Sequence, residues 1–207
     1  MSAVVHHLPG EDPPSGMCPG DFILCHRKGF ASALIRAGER LRDPANACRW
    51  SHAAMVVSED GRLVEALTRG VSATEVGSYR GTEYDYVRTS MATPDCVQAQ
   101  RFANSCVGER YGWPTILGIA LRFLTPGRGL WFGMNGTEIC SGLVAQGLCR
   151  GDAIFPYNPA SMTPSELAEF YLQPPGRSNA ARQRAHYREH GPHPGEDPYD
   201  ETYGHGR

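Results

Sequence analysis

Glu138-Ile139-Cys140-Ser141-Gly142-Leu143-Val144 is the stretch on which the reading of the fold turns. One cysteine stands just ahead of an apolar pattern at i+3 and i+4, Leu143 and Val144, which Leu148 continues. That spacing predicts a helix beginning at the cysteine. A helix N-terminus carries unpaired N–H groups and the positive end of the peptide dipoles. Both favour a thiolate over a thiol, and the thiolate is the nucleophile.

A thiol nucleophile needs a base, and the sequence offers one far upstream. Ser51-His52-Ala53-Ala54-Met55-Val56-Val57 reads as a strand opening on a histidine. Ser58-Glu59-Asp60-Gly61 follows, then a second strand over 62–67. Asp-Gly between apolar runs signals a hairpin. If the turn is the four residues 58–61, Val57 opposes Arg62 and Ala54 opposes Glu65. If it is only Asp60-Gly61, Val56 opposes Glu65. Side chains alternate with period two, so Glu65 shares a face with His52 either way. Only the wider turn leaves it diagonal to His52, roughly 7–8 Å away between backbones and within a glutamate's reach. Glu59, the rival acid, sits in the turn at the far end. A carboxylate on one imidazole nitrogen fixes the tautomer and stabilises the imidazolium. Cys140, His52 and Glu65 thus form a candidate nucleophile, base and orienter. The first N–H groups of the Cys140 helix supply half of an oxyanion hole.

Taken singly, each residue also has a structural reading. A cysteine among small residues packs well in a core, and a histidine at a strand start can simply bond a turn. Glu65 between Val64 and Ala66 resists that reading, because a buried carboxylate without a partner is costly.

The rest of the chain frames this centre. The 207 residues allow one ordinary domain, and 41% apolar with 20% charged residues fits a soluble globular protein. A formal charge of −2 gives no global pull toward nucleic acid or an anionic membrane. Residues 1–17 read as a flexible N-terminal arm, 18–172 as the folded domain, and 173–207 as a polar tail that cannot offset its own ordering entropy. Strands are expected at 20–25 and 84–88, besides the hairpin. Helices are expected over 30–41, from Pro94 through Cys106, from Pro114 to about Leu124, and from Thr163 as cap with Pro164 in the first turn. Residues 125–136 read as a glycine-rich loop.

Seven cysteines without a Cys-x-x-Cys form neither a zinc ribbon nor a dense disulfide scaffold. Most read as reduced and buried, with Cys18–Cys25 or Cys140–Cys149 as the alternative bridges. His186, His190 and His193 have metal-like spacing, but in a proline-rich polar tail they read as solvated or partner-binding. No metal or cofactor is expected. The first residues lack a Sec signal, and the longest apolar run, 116–124, contains Arg122 and falls short of a membrane span. The expected location is therefore cytoplasmic, or within an assembly such as a virion that delivers the protein.

These residues together resemble the NlpC/P60 superfamily of papain-like cysteine hydrolases. Cys140-Ser141-Gly142-Leu143-Val144 is similar to its nucleophile motif, with Ile139 in place of the usual Asp. Gly108-Glu109-Arg110-Tyr111-Gly112-Trp113 is similar to the Gly-x-x-Tyr-x-Trp segment ahead of the nucleophile. The His52 strand resembles the family's histidine strand, Val64-Glu65-Ala66 the strand after it, and Pro19-Gly20-Asp21-Phe22 the Pro-Gly-Asp strand. Here the histidine and the acid precede the cysteine, as in the circularly permuted branch of YiiX-like proteins and, more remotely, the lecithin:retinol acyltransferases. The resemblance covers roughly residues 18–172. It implies an α+β, permuted papain-like fold, with an antiparallel sheet packed on the nucleophile-bearing helix. It also implies Cys140 as nucleophile, His52 as base, Glu65 as orienting residue, and Tyr111 and Ser141 at the oxyanion and substrate site.

The leading expectation is a thiol hydrolase that cleaves an amide bond, by family a peptidoglycan stem peptide, through an acyl-cysteine. Two alternatives stand beside it. One is acyl transfer or lipid deacylation at the same site, with Trp113, Phe123, Trp131 and Phe132 as walls for an acyl chain. The other is a structural protein of a larger assembly, its terminal arms binding protein partners.

Overall fold

The computed structural model describes residues 3–26, 50–89, 91–111, 137–151, 153, 155 and 158–172. The helices expected at 30–41 and up to Leu124, the loop 125–136, the aromatic residues around it, and the tail 173–207 lie outside the described residues.

The fold is α+β. Six strands form one antiparallel sheet: β1 (Ala3–His7), β2 (Phe22–Cys25), β3 (His52–Val56), β4 (Arg62–Leu67), β5 (Gly70–Glu75) and β6 (Tyr84–Arg88). Their spatial order is β1-β6-β2-β3-β4-β5. Among the described residues three α-helices follow: α1 (Thr93–Ser105), α2 (Cys140–Arg150) and α3 (Pro164–Leu172). A small parallel pair, β7 (Arg110–Tyr111) with β8 (Thr137–Glu138), leads into α2.

Alternation along the strands builds two cores. Phe22, Leu24, Ala53, Met55, Val64 and Ala66 face the helices, where Ala99 and Ala103 of α1, Leu143 and Leu148 of α2, and Leu167 of α3 close the larger core. Ile23, Cys25, Ala54, Val56 and Leu63 face the other way. There Val76 and Tyr79, from a single 3-10 turn over Val76–Tyr79, cover them together with Tyr84 and Tyr86. Both faces of the central strands are therefore apolar, and β2 and β3 read as short unbroken buried runs.

The hairpin between β3 and β4 has the four-residue turn. Met55 pairs with Val64 and Val56 with Leu63, and Val57 N–H donates to Arg62 O at 2.9 Å. Gly61 adopts φ +86°, and a Cβ there would come within 2.6 Å of Val76 and 2.7 Å of Met17. Only glycine meets both demands. Glu59 is exposed in this turn, as its position implies.

α2 is the central helix. Eight of its residues, Cys140 through Ala145 with Gly147 and Leu148, are buried. Gly142 allows the close approach of the Pro159–Ser161 turn, since a Cβ there would lie 2.6 Å from Ala160 O. α3 starts as expected on Thr163, in a reciprocal cap. Thr163 Oγ1 accepts from Glu166 N–H at 3.3 Å, and Glu166 Oε2 accepts from Thr163 N–H at 2.9 Å.

One expectation is corrected here. Residues 1–17, expected as a flexible arm, contain strand β1, which pairs with β6 from Ala3↔Arg88 to His7↔Tyr84. Its residues are mostly exposed, so it has no buried face to announce it. Main-chain bonding and the His6–Asp85 contact at 2.7 Å hold it to the edge. The six described cysteines, Cys18, Cys25, Cys96, Cys106, Cys140 and Cys149, are free, so neither alternative bridge is formed. No helix among the described residues is long and apolar enough to cross a membrane.

Candidate active site

The site forms where the sheet opens. In β3 the even-numbered residues bond toward β2, as Val56 N–H does to Asp21 O at 2.8 Å. The odd-numbered ones bond toward β4, as Val57 does. The β3–β4 ladder stops at Met55↔Val64, whereas β4 stays paired with β5 out to Leu67↔Gly70. Ala53 N–H, directed to the β4 side, no longer meets its ladder partner. It lies against the sulfur of Cys140 instead, as does Ser141 N–H from the first turn of α2. The helix N-terminus thus docks at the parting of two strands.

A further feature keeps that N-terminus available. Its N-cap is Ile139, whose side chain offers no oxygen and makes no cap hydrogen bond. An apolar N-cap forgoes about 1 kcal/mol relative to serine or aspartate. The buried Ile139 side chain offsets part of that by packing in the larger core. The first N–H groups of the helix, with their partial positive charge, are left to the sulfur and to whatever it attacks.

His52 opens β3 and reaches both partners. Its Nε2 lies 2.6 Å from Glu65 Oε2, which leaves Nδ1 for the Cys140 sulfur. Glu65 is held by two more groups. Tyr79 Oη–H donates to Oε2 at 2.5 Å, and Thr74 Oγ1–H donates to Oε1 at 2.7 Å. Exposures of 2% for Cys140, 4% for His52 and 1% for Glu65 place the three in a low-dielectric setting, where their mutual interactions are strong.

The electrostatics follow from that closeness. Burial alone would push the Cys140 thiol up. The charge and hydrogen bond of His52 outweigh it, the Ala53 and Ser141 amides add to them, and the thiol is held below its ordinary value. Burial alone would keep His52 neutral. The Cys140 sulfur first, and Glu65 second, outweigh it and raise the ring to about 9. Burial would raise Glu65, but the His52 hydrogen bond and charge, then Tyr79 and Thr74, bring it down to about 2. All three shifts favour thiolate, imidazolium and carboxylate at neutral pH. Such a set can attack an electrophilic carbonyl and protonate a leaving group.

The three principal residues expected from the sequence are thus brought together. The other two expected residues are Ser141 and Tyr111. Ser141 is buried, and its Oγ–H donates to Met162 O at 2.6 Å, so the side chain braces α2 against the following segment while the backbone N–H faces the site. Tyr111 lies in β7, paired with Glu138 two residues before Cys140. Sequence reasoning missed Tyr79 and Thr74. The signal for Thr74 was a weak strand after the hairpin, and Tyr79 follows it in a 3-10 turn without periodicity.

Asp21 has a structural post. It accepts from Thr89 N–H at 3.0 Å, from Cys18 N–H at 3.2 Å and from the Tyr86 hydroxyl, pinning the start of β2 beside β6. Among the described residues no group of three or more His, Cys, Asp or Glu is arranged to hold a metal ion. No family model and no curated protein matches this sequence.

Proposed function

We propose that the chain is a thiol hydrolase that cleaves an amide bond through an acyl-cysteine intermediate. The observation that carries this reading is the His52 ring bonded to Glu65 on one side and facing the Cys140 sulfur on the other, at an uncapped helix start. In the resting site the proton resides on His52 and the negative charge on sulfur. Cys140 Sγ attacks the carbonyl carbon, and the tetrahedral oxyanion is met by N–H groups at the start of α2. His52 gives its proton to the leaving amine as the C–N bond breaks. Water then attacks the thioester, His52 takes its proton, and the C–S bond breaks to release the acid and restore the thiolate beside the protonated His52.

The resemblance of residues 18–172 to the permuted NlpC/P60 branch supports the same reading and extends it to a papain-like fold. It also favours a peptide of the bacterial cell wall as substrate. Ile139 in place of the family's Asp argues that recognition at this point differs from the peptidoglycan members. The test is incubation of the purified protein with muropeptides and, separately, phospholipids, with products read by mass spectrometry. The reading expects amide cleavage by the native chain and none by Cys140→Ala. Ester cleavage confined to phospholipids would move the assignment to lipid deacylation. The absence of any Cys140-dependent product from either would argue for a scaffold.

A further inference from the structure

We propose that Tyr79 is a positioning residue of this site: with Thr74, it clamps both oxygens of Glu65 so that the carboxylate keeps its charge and holds His52 toward Cys140. The inference rests on the thiol-hydrolase reading and adds residues that the sequence did not point to.

The geometry is specific. Glu65 Oε2 takes two donors, His52 Nε2 at 2.6 Å and Tyr79 Oη at 2.5 Å, while Oε1 takes Thr74 Oγ1 at 2.7 Å. The donors arrive from three elements, β3, the 3-10 turn and β5, so the carboxylate is fixed in plane and in rotation. Tyr79 is itself buried and braced edge-on by Tyr84 of β6, with ring centroids 6.5 Å apart at 70°. Among the described residues, the titratable groups facing this centre include His52 from β3, Tyr79 from the turn with Tyr84 of β6 behind it and, beyond His52, Cys140 from α2.

The clamp has a chemical consequence. In a buried pair the proton can pass from imidazolium to carboxylate and erase both charges, because burial disfavours ions. Donors on both carboxylate oxygens lower the proton affinity of Glu65 and oppose that transfer. Without the Tyr79 hydroxyl, Glu65 takes up a proton at higher pH. His52 then loses its anchor, and Cys140 loses its counter-charge. A tyrosine that merely packs would have none of these effects.

The test is the pH dependence of Cys140 alkylation by iodoacetamide in the full chain, followed by peptide mass spectrometry. It compares the native protein, Tyr79→Phe and Thr74→Val. Loss of one hydrogen bond to the carboxylate should move the acid limb of the rate upward by about half a pH unit or more, about threefold slower at a fixed pH on that limb. Thr74→Val should shift it in the same direction. Lower melting temperatures with unmoved limbs in both variants would overturn the proposal. Should Tyr79→Phe fail to fold, an unmoved limb in Thr74→Val is sufficient to overturn it. A native Cys140 that titrates like an ordinary thiol would instead remove the hydrolase reading, and this inference with it.

Discussion

His52 Nε2 and Glu65 Oε2 meet at 2.6 Å across two strands that have already ceased to hydrogen-bond to each other. Side chains bridge the sheet where the main chain lets go, and the N-terminus of α2 enters at the same place. The opening of the ladder is thus what lets a cysteine from the helical layer reach residues on the opposite sheet face. Replacing Glu65 by Gln keeps the shape and removes the charge. Alkylation of Cys140 at pH 6 should slow by about tenfold or more, the worth of one charged hydrogen bond. Peptide-level mass spectrometry of the labelled chain reads the rate.

The same carboxylate makes stability depend on acid. Glu65 has its folded pKa depressed to about 2, below its unfolded value. Its contribution is therefore complete above the unfolded value of about 4.3 and is lost as pH falls toward 2. Urea unfolding between pH 5 and pH 2.5 should show a smaller decline for Glu65→Gln than for the native chain.

Cys140 is the first cause of the raised His52 pKa among those that lift it against burial. In Cys140→Ala the ring should titrate below about 9, because Glu65 alone then opposes desolvation. Imidazole proton shifts followed by NMR titration measure the effect.

Gly142→Ala pits two effects against each other. Helix propensity favours alanine by about 1 kcal/mol. The added Cβ would sit 2.6 Å from Ala160 O and 3.1 Å from Ala160 C, backbone atoms that cannot turn aside. Overpacking of this kind costs about 1–3 kcal/mol, so net destabilisation is expected in urea unfolding.

Ser141→Ala separates bracing from chemistry. It removes the buried bond to Met162 O, at a cost of about 1–3 kcal/mol for the carbonyl left behind. The Ser141 N–H beside the sulfur stays. Thermal unfolding should shift downward while the pH profile of Cys140 alkylation keeps its midpoint.

Much of this was legible from residue patterns alone. Ser58-Glu59-Asp60-Gly61 marked the hairpin and left two registers, and the pairing of Met55 with Val64 is that of the wider turn, the one that places Glu65 within reach of His52. Leu143 and Val144 located the start of α2, and Thr163-Pro164 the start of α3. What stayed hidden lacks a local signal. β5 carries Ser72, Thr74 and Glu75 among its six residues, too polar to read as a strand, and the mostly exposed β1 is held by pairing with β6. Tyr79 and Thr74 find Glu65 only because the chain folds back after β5. The parting of β3 from β4 is matched by the N-terminus of α2, more than seventy residues away in sequence, so the site has no local signature in either strand.

The most direct test is the labelling of individual cysteines by iodoacetamide at pH 6, where an ordinary thiol is almost wholly protonated. A thiolate held by His52 requires Cys140, though buried, to react at least about tenfold faster than the exposed Cys18, and His52→Ala to abolish that advantage. Equal labelling of Cys140 and Cys18, or an advantage that survives in His52→Ala, would contradict it.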